Sequence, residues 1–558
     1  MLQRAMFVSL AVLFIATAGC TKVSTQTGAG TGGNSWTQHG VLRWAGLSQP
    51  DNMNPLVGNQ QIEIDLSMFW GGYLFNWSDT NRFVPELATL EPTLANGGIS
   101  KDGKTITYHL RKGVRWQDGA PFSADDVIYT YQQVMNKANN VSSTVGYDRV
   151  AKIDEPDKYT IVVHLKQPYA PFVGSFFSMS STPYCILPKH LLSQYSDMRG
   201  GVMQGNLNRV AYDDKPVGTG PFTIESNEKG SLIRMVANPH YWRGAPKLRE
   251  VDYRIVPNEN TILTQLESHD ADFEYNAPTS QYPSLKNLDG NGFKLYETPF
   301  TQYAQLALNL DTPALRDLAV RQALAYATNT QEIINKISHG VDIAGYTDQP
   351  PFLWAYSDNV TKYPYDTTKA GQLLDQAGWT MGSDGYRHKN GQMLDLQISG
   401  STGAAVNNAI EVVVQSEWKQ VGVKLDVKNY PTDLFFATFG AGGILQTGKF
   451  EVGIYSWING VDPDDSTLWM CNQFPPAGQD VYHFCNRNLD AAEQTALADY
   501  DPAQRTAAYA TIQQILTQQE PMIVLYYARR LDIANADFTG YKPAHAVSEF
   551  WNTWEWNI

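Results

Sequence analysis

The sequence predicts a mixed α/β fold divided into two or three domains, and three observations carry that reading. The chain has 558 residues, too many for one ordinary core. Strand-like alternation and helical-period runs interleave along it and are not segregated. Gly and Pro clusters punctuate the elements, most densely in Pro216-Val217-Gly218-Thr219-Gly220-Pro221-Phe222. A hydrophobic content of 43% with 12% aromatic residues is ample to fill such cores. The formal charge of −14 argues against nucleic acid, which rewards basic patches, and leaves a cationic ligand compatible.

Arg4 and the apolar run Ala5 to Ala18 form a leader too short to span a bilayer but suited to a signal peptide. It ends in Thr17-Ala18-Gly19-Cys20, which resembles a lipobox, so the expected mature chain starts at a lipidated Cys20. Residues 21–35 are Thr, Gly, Ser, Gln and Lys with almost no apolar content. They are expected to form a tether with an r.m.s. reach on the order of 20 Å.

A first mixed region runs from Gly40 to Phe75. The next, Phe83 to about Asn206, holds the most informative stretch, Asp102 to Val127. Ile106, Tyr108 and Leu110 alternate as a strand, and Asp118-Gly119 signals a turn. Ser123 is an N-cap with Asp125 and Asp126 in the first helical turn. These acids read as turn and cap residues, not as an active site. After residue 298 the chain is expected to hold a strand over 304–310 and helices over 315–327, 330–338, 369–377 and 407–420. Strands are expected over 421–427 and 450–454.

Cys471 and Cys485 flank a Pro-, Gly- and Asn-rich loop, and an exported compartment permits a disulfide there, the alternative being two separate thiols. Cys185, set among apolar residues, reads as a buried free thiol. His483 lacks partners at zinc-ligand spacing, so no metal and no cofactor are expected. No Gly-x-Ser-x-Gly elbow or His-Glu-x-x-His motif is present, which disfavours a secreted hydrolase. The neighbouring acids Asp462, Asp464 and Asp465 could imitate a glycosidase pair only if the fold set their spacing.

In this order the Asp102–Val127 stretch resembles the signature of the family 5 extracellular solute-binding proteins, the peptide- and oligopeptide-binding receptors of bacterial ABC importers. Further family-like blocks are Gly218-Thr219-Gly220-Pro221-Phe222, Asn238-Pro239-His240-Tyr241-Trp242, Val320 to Ala327 and Leu373 to Trp379. The resemblance implies a periplasmic-binding-protein-like clamshell of the class C type, with three domains in two lobes. Domain I would comprise 36–82, 207–298 and 528–558, domain II would be the insertion 83–206, and domain III 299–527. Two chain crossings near Thr298 and Tyr527 would form the hinge. It also implies a non-enzymatic, monomeric receptor, anchored at Cys20 outside the cytoplasm, that passes solute to ABC permease subunits or to a sensor.

The stretch expected to meet ligand is Tyr455-Ser456-Trp457-Ile458-Asn459-Gly460-Val461-Asp462-Pro463-Asp464-Asp465, taken as the loop after the 450–454 strand. Trp457 offers a stacking platform, with Tyr455, Asn459 and Asp462 beside it. Asn59, Gln60 and Gln61, with Gln302 and Tyr303 at the crossing, are further candidates. In peptide-binding relatives an Asp three residues after this Trp holds the ligand ammonium group; here Gly460 stands there, and Asn459 or Asp462 is a possible substitute. The Arg that clamps a dipeptide carboxylate is also missing, since no Arg lies between Arg387 and Arg487. Burying a zwitterion without partners costs several kcal/mol per charge. The expected ligand is therefore a peptide held through its backbone, the alternative being a neutral oligosaccharide.

Overall fold

A computed structural model of the chain describes residues 33–58, 60–180 and 182–558. The leader, Cys20, most of the tether and Asn59 lie outside the described residues. Among the described residues no helix is long and apolar enough to cross a membrane.

One eleven-stranded sheet runs through both lobes. Its labelled strands are β1 (Val41–Gly46), β2 (Phe222–Glu228), β3 (Leu232–Ala237), β4 (Glu250–Ile255), β5 (Phe273–Ala277), β6 (Phe293–Leu308), β7 (Asp395–Ser399), β8 (Lys424–Val427), β9 (Val452–Ile458) and β10 (Met522–Asn535). Their order is β8-β7-β9-β6-β10-β5-β1-β4-β3-β2, and Ile343–Ala344 adds a short strand on β10. β1 pairs in parallel with β4 and β5, while β6 and β10 are antiparallel.

β6 and β10 carry the chain between the lobes. At one end Phe293, Leu531 and Ile533 pack into a core with Ile262, Leu266 and Leu285. At the other, Leu306, Leu308, Ile523 and Leu525 pack against helical residues such as Val320, Leu324, Val414 and Trp418. On the opposite face, Tyr303, Ala307, Val524 and Tyr527 pack against Trp469, Tyr482, Tyr509 and Ile512. Their ladder is regular from Phe293↔Asn535 to Pro299↔Arg529, then breaks and resumes at Tyr303↔Tyr527. Pro299 cannot donate to a ladder, which suits it to such a break.

Residues 83–206 share one continuous core with β1–β4 and the C-terminal segment. Tyr108, Trp116 and Phe176 belong to the same cluster as Trp44, Phe75 and Phe550. Their local sheet aligns Thr105–His109 with Thr160–Leu165 and Val150–Asp157. The helix Ala124–Val134 starts as its sequence predicts: the Asp126 carboxylate reaches back to the Ser123 N–H at 3.0 Å in a capping box. Asp118 accepts from the Ala120 N–H and pairs with His190, and Asp125 pairs with Lys189. The Asp102–Val127 stretch is scaffold.

Several boundaries differ from the sequence reading for local reasons. The helix expected from 315 divides, because Asp317 caps Leu318–Tyr326 and leaves Pro313–Arg316 as a 3₁₀ turn. The 421–427 strand begins only at Lys424, since Gly422 turns the chain at φ +81°. The 304–310 strand is the second half of β6, continuous through Pro299. Cys471 and Cys485 are joined by a disulfide, and Cys185 is a buried thiol.

Candidate functional site

Between the lobes lies a cavity of about 600 Å³. Residues 142–184 of the first lobe form one wall, residues 456–479 of the second form the other, and Trp77 closes one side. A hollow of similar volume near Asn309, Asp395 and Glu451 is built by the second lobe alone. The interlobe cavity is the candidate site, because a ligand there would touch both lobes and register their closure.

β9 supplies the second-lobe wall. The expected loop is strand as far as Ile458, because residues 452–458 pair with Gln302–Leu308 of β6. Ser456, Trp457 and Ile458 at its end line the cavity. Asn459 reaches the wall but is already engaged. Its N–H donates to the Thr301 carbonyl at 2.9 Å, and its Nδ2 donates to the Asp348 carbonyl at 2.6 Å. It therefore ties the site to the hinge segment.

Asp462 also lines the cavity, but as half of a bidentate ion pair. Arg505 donates Nη2 to its Oδ1 at 2.7 Å and Nη1 to its Oδ2 at 3.3 Å. Burial pushes the Asp462 carboxyl above its ordinary range, opposed by the Arg505 charge. With that partner in place, Asp462 is not a free substitute for the carboxylate absent at Gly460. Asp464 is placed differently. Its Oδ1 accepts from the Ser466 N–H and Oγ, and its Oδ2 accepts from the Tyr169 hydroxyl of the opposite lobe at 2.5 Å.

Five other candidates are not on the cavity surface. Tyr455 is buried beneath the wall, its hydroxyl 3.3 Å from that of Tyr482. Tyr303 is fully buried opposite Trp457 on the paired strand. Gln302 pairs with Ile458 in the sheet. Gln60 caps the helix Gln61–Trp70 and donates to Asp51 at 2.8 Å. Gln61 lines a separate hollow of about 120 Å³ and donates to Asp65 and the Val547 carbonyl.

The sequence reading missed the first-lobe wall: Tyr147, Tyr169 and Tyr184, with hydroxyls from Ser142, Ser143, Ser175, Ser180 and Thr182. Tyr169 sits in Gln167-Pro168-Tyr169-Ala170-Pro171, an aromatic fixed between two prolines after a strand, and that was the available signal. Among the described residues the wall carries no Lys, Arg or His. Such rings can stack on a bound solute, and such hydroxyls can exchange hydrogen bonds with it.

The lobes touch directly around this cavity. The Ala170 N–H donates to the Leu497 carbonyl at 2.7 Å, and the Tyr500 hydroxyl bonds the Tyr169 and Gly103 carbonyls at 3.0 and 3.1 Å. Asn81 Nδ2 donates to the Phe352 carbonyl at 3.0 Å. Leu353 and Val461 of the second lobe pack into the first lobe's core. At Gly174 a Cβ would stand 3.1 Å from the Asp462 Cβ, so the absent side chain permits this approach. Behind the wall, burial holds the Asp465 and Glu493 carboxyls well above their ordinary values, and the neighbouring acids push both further up.

The family model for bacterial extracellular solute-binding proteins, family 5, matches residues 83–478. The chain is 25% identical over 552 residues to the oligopeptide-binding protein AppA of Bacillus subtilis, covering 98% of this chain and 97% of that one. It is 26% identical over 537 residues to the dipeptide-binding protein of Escherichia coli, covering 90% and 92%. The solved structure of NikZ from Campylobacter jejuni with Ni(L-His) superposes at TM-score 0.76 and 25% identity, covering 94% of this chain and all of that one. The two-lobed α/β clamshell on a two-strand hinge is thus the architecture of its relatives, and the chain belongs to the bacterial extracellular solute-binding proteins, family 5.

Proposed function

We propose that this protein is the lipid-anchored, monomeric capture component of an ABC importer. It takes a peptide or oligopeptide into the interlobe cavity, closes, and hands it to the permease. The observation that carries this reading is a cavity of about 600 Å³ whose two walls belong to different lobes joined by β6 and β10. Aromatic rings and hydroxyls suit reversible binding. A receptor that must release its cargo needs an affinity on the order of −8 to −10 kcal/mol, in the micromolar to sub-micromolar range. The relatives' names, oligopeptide- and dipeptide-binding proteins, support peptide as the ligand class.

A second reading, a neutral oligosaccharide, is favoured by the wall's lack of any cation and by the Trp77 and Trp457 rings. Native mass spectrometry of the protein as purified separates the two by the mass of the co-purified solute. For the anchor, Cys20→Ser is expected to release the protein from the membrane fraction. Persistence of that variant in the membrane fraction refutes the anchor.

A further inference from the structure

We propose that Tyr500, which lies off the binding surface, is a positioning residue that latches the two lobes together, a role that rests on the capture reading above. Through the latch it sets how long a captured solute is held, whatever the chemistry of that solute.

On the second lobe, Tyr500 stands in the turn between the helices Arg487–Ala498 and Pro502–Gln519. That turn is braced. Asp501 caps the second helix by accepting from the Ala503 N–H at 2.9 Å. Arg505, itself paired with Asp462, donates Nε to the Ala496 carbonyl of the first helix at 2.9 Å. The Tyr500 hydroxyl reaches across and shares its one proton between the carbonyls of Tyr169 at 3.0 Å and Gly103 at 3.1 Å. Those carbonyls belong to distant segments but to one rigid piece of the first lobe. Gly103 precedes the strand Thr105–His109 and Tyr169 follows the strand Thr160–Leu165, and the two strands pair from Thr105↔His164 to His109↔Thr160. The Leu165 N–H also donates to the Lys104 carbonyl at 2.7 Å. One phenol therefore joins a braced helix pair to a paired sheet end, beside the bond from the Ala170 N–H to the Leu497 carbonyl.

The receiving turn is shaped for the ring. Gly103 has φ +68°, and a Cβ there would stand 2.7 Å from the Tyr500 Cε2, so its missing side chain both makes the turn and seats the phenol. The Asp102-Gly103 turn thus has a second task beside starting a strand. Burial pushes the Tyr500 phenol up to about 12, which keeps it a donor at neutral pH. Tyr500, Gly103, Ala170 and Leu497 do not line the interlobe cavity. Tyr500 and Gly103 line a separate hollow of about 530 Å³ together with Pro168. The bond therefore adds the same increment to closure for every solute. On opening, the phenol and both carbonyls regain water, so its net worth is that of one ordinary hydrogen bond, about 3- to 10-fold in the ratio of closed to open protein.

Tyr500→Phe tests the latch, because it leaves the ring in its seat and removes only the donor. Wild type and variant are freed of co-purified solute by unfolding and refolding. Small-angle X-ray scattering then gives the radius of gyration of each without solute. Native mass spectrometry follows the loss of an equimolar random tripeptide mixture after dilution. The solute-free variant is expected to be the more open, with the larger radius of gyration. It is expected to lose tripeptides about 3- to 10-fold faster, with association unchanged and one common factor for every tripeptide mass. An unchanged radius of gyration with dissociation no faster than in wild type overturns the proposal. A factor that differs from one tripeptide mass to another also overturns it, since Tyr500 would then be a solute contact. Where neither protein binds tripeptide, a more open variant upholds the latch and refutes the peptide reading, whereas equal radii refute both.

Discussion

Replacing Asp462 with Asn separates a structural acid from a ligand-binding one. The Asp462–Arg505 pair is bidentate at 2.7 and 3.3 Å, and its two side chains are only 13% and 10% exposed. Removing one partner of a pair at such depth leaves an uncompensated charge, at a cost of about 3–5 kcal/mol. Asp462→Asn keeps the shape and some hydrogen bonding, so about 3 kcal/mol is expected. Arg505→Met also loses the Ala496 bond and the contact over Trp354, 4.8 Å from the ring centroid, and belongs near the upper end. The double variant removes both charges and is expected to be less damaged than the two single losses added together. Urea unfolding of the four proteins measures the cycle, and titration with the co-purified solute measures affinity. Stability should fall as stated, while affinity in Asp462→Asn changes by less than about fivefold. The reasoning is refuted if Asp462→Asn leaves the unfolding midpoint in place yet abolishes binding.

Trp457→Ala should weaken ligand affinity by about 10- to 100-fold, since a cavity-lining aromatic is lost, with intrinsic fluorescence and calorimetry as readouts. Cys471→Ser with Cys485→Ser opens a loop spanning 14 residues and should cost about 3 kcal/mol, read as a lower denaturation midpoint that reductant no longer changes. Stability should also depend on pH in a defined direction. Burial pushes Asp480 and Glu274 up to about 8, and Asp65, Glu86 and Glu417 up to about 7. The unfolded chain releases those protons near pH 4, so between about pH 4 and 8 the native state holds more protons, and stability falls as pH rises through that window. The Tm at pH 5.5 should exceed that at pH 8.5, and Asp480→Asn should raise the Tm at pH 8.5 and flatten the profile.

What was legible in the sequence was local. Ser123 with Asp126 announces a helix start within four residues, and the structure forms that capping box. Gly218-Thr219-Gly220-Pro221 announces a tight, invariable backbone, and a Cβ at Gly218 would stand 1.7 Å from the Trp70 carbonyl oxygen. What was not legible was pairing at a distance. Asp462 looked like a ligand contact because its partner, Arg505, lies 43 residues downstream. Asp464 meets a tyrosine 295 residues upstream, so the first-lobe wall could not be read from the second-lobe segment. Side-chain chemistry alone marks Tyr303 and Tyr455 as ligand contacts. Their place on strands facing a core of Trp469, Tyr482 and Tyr509 buries them whatever their hydrogen-bonding capacity. The same register that hides Tyr455 carries Trp457 to the cavity end of the strand.

The central claim is that solute is enclosed between residues 142–184 and 456–479. Native mass spectrometry of the purified protein beside a Ser456→Trp variant, whose indole would intrude on the cavity, tests it most directly. The account predicts one small solute per wild-type chain, absent from the folded variant and competed away by added ligand. A solute retained at the same stoichiometry in the folded Ser456→Trp protein would place binding elsewhere and contradict the account.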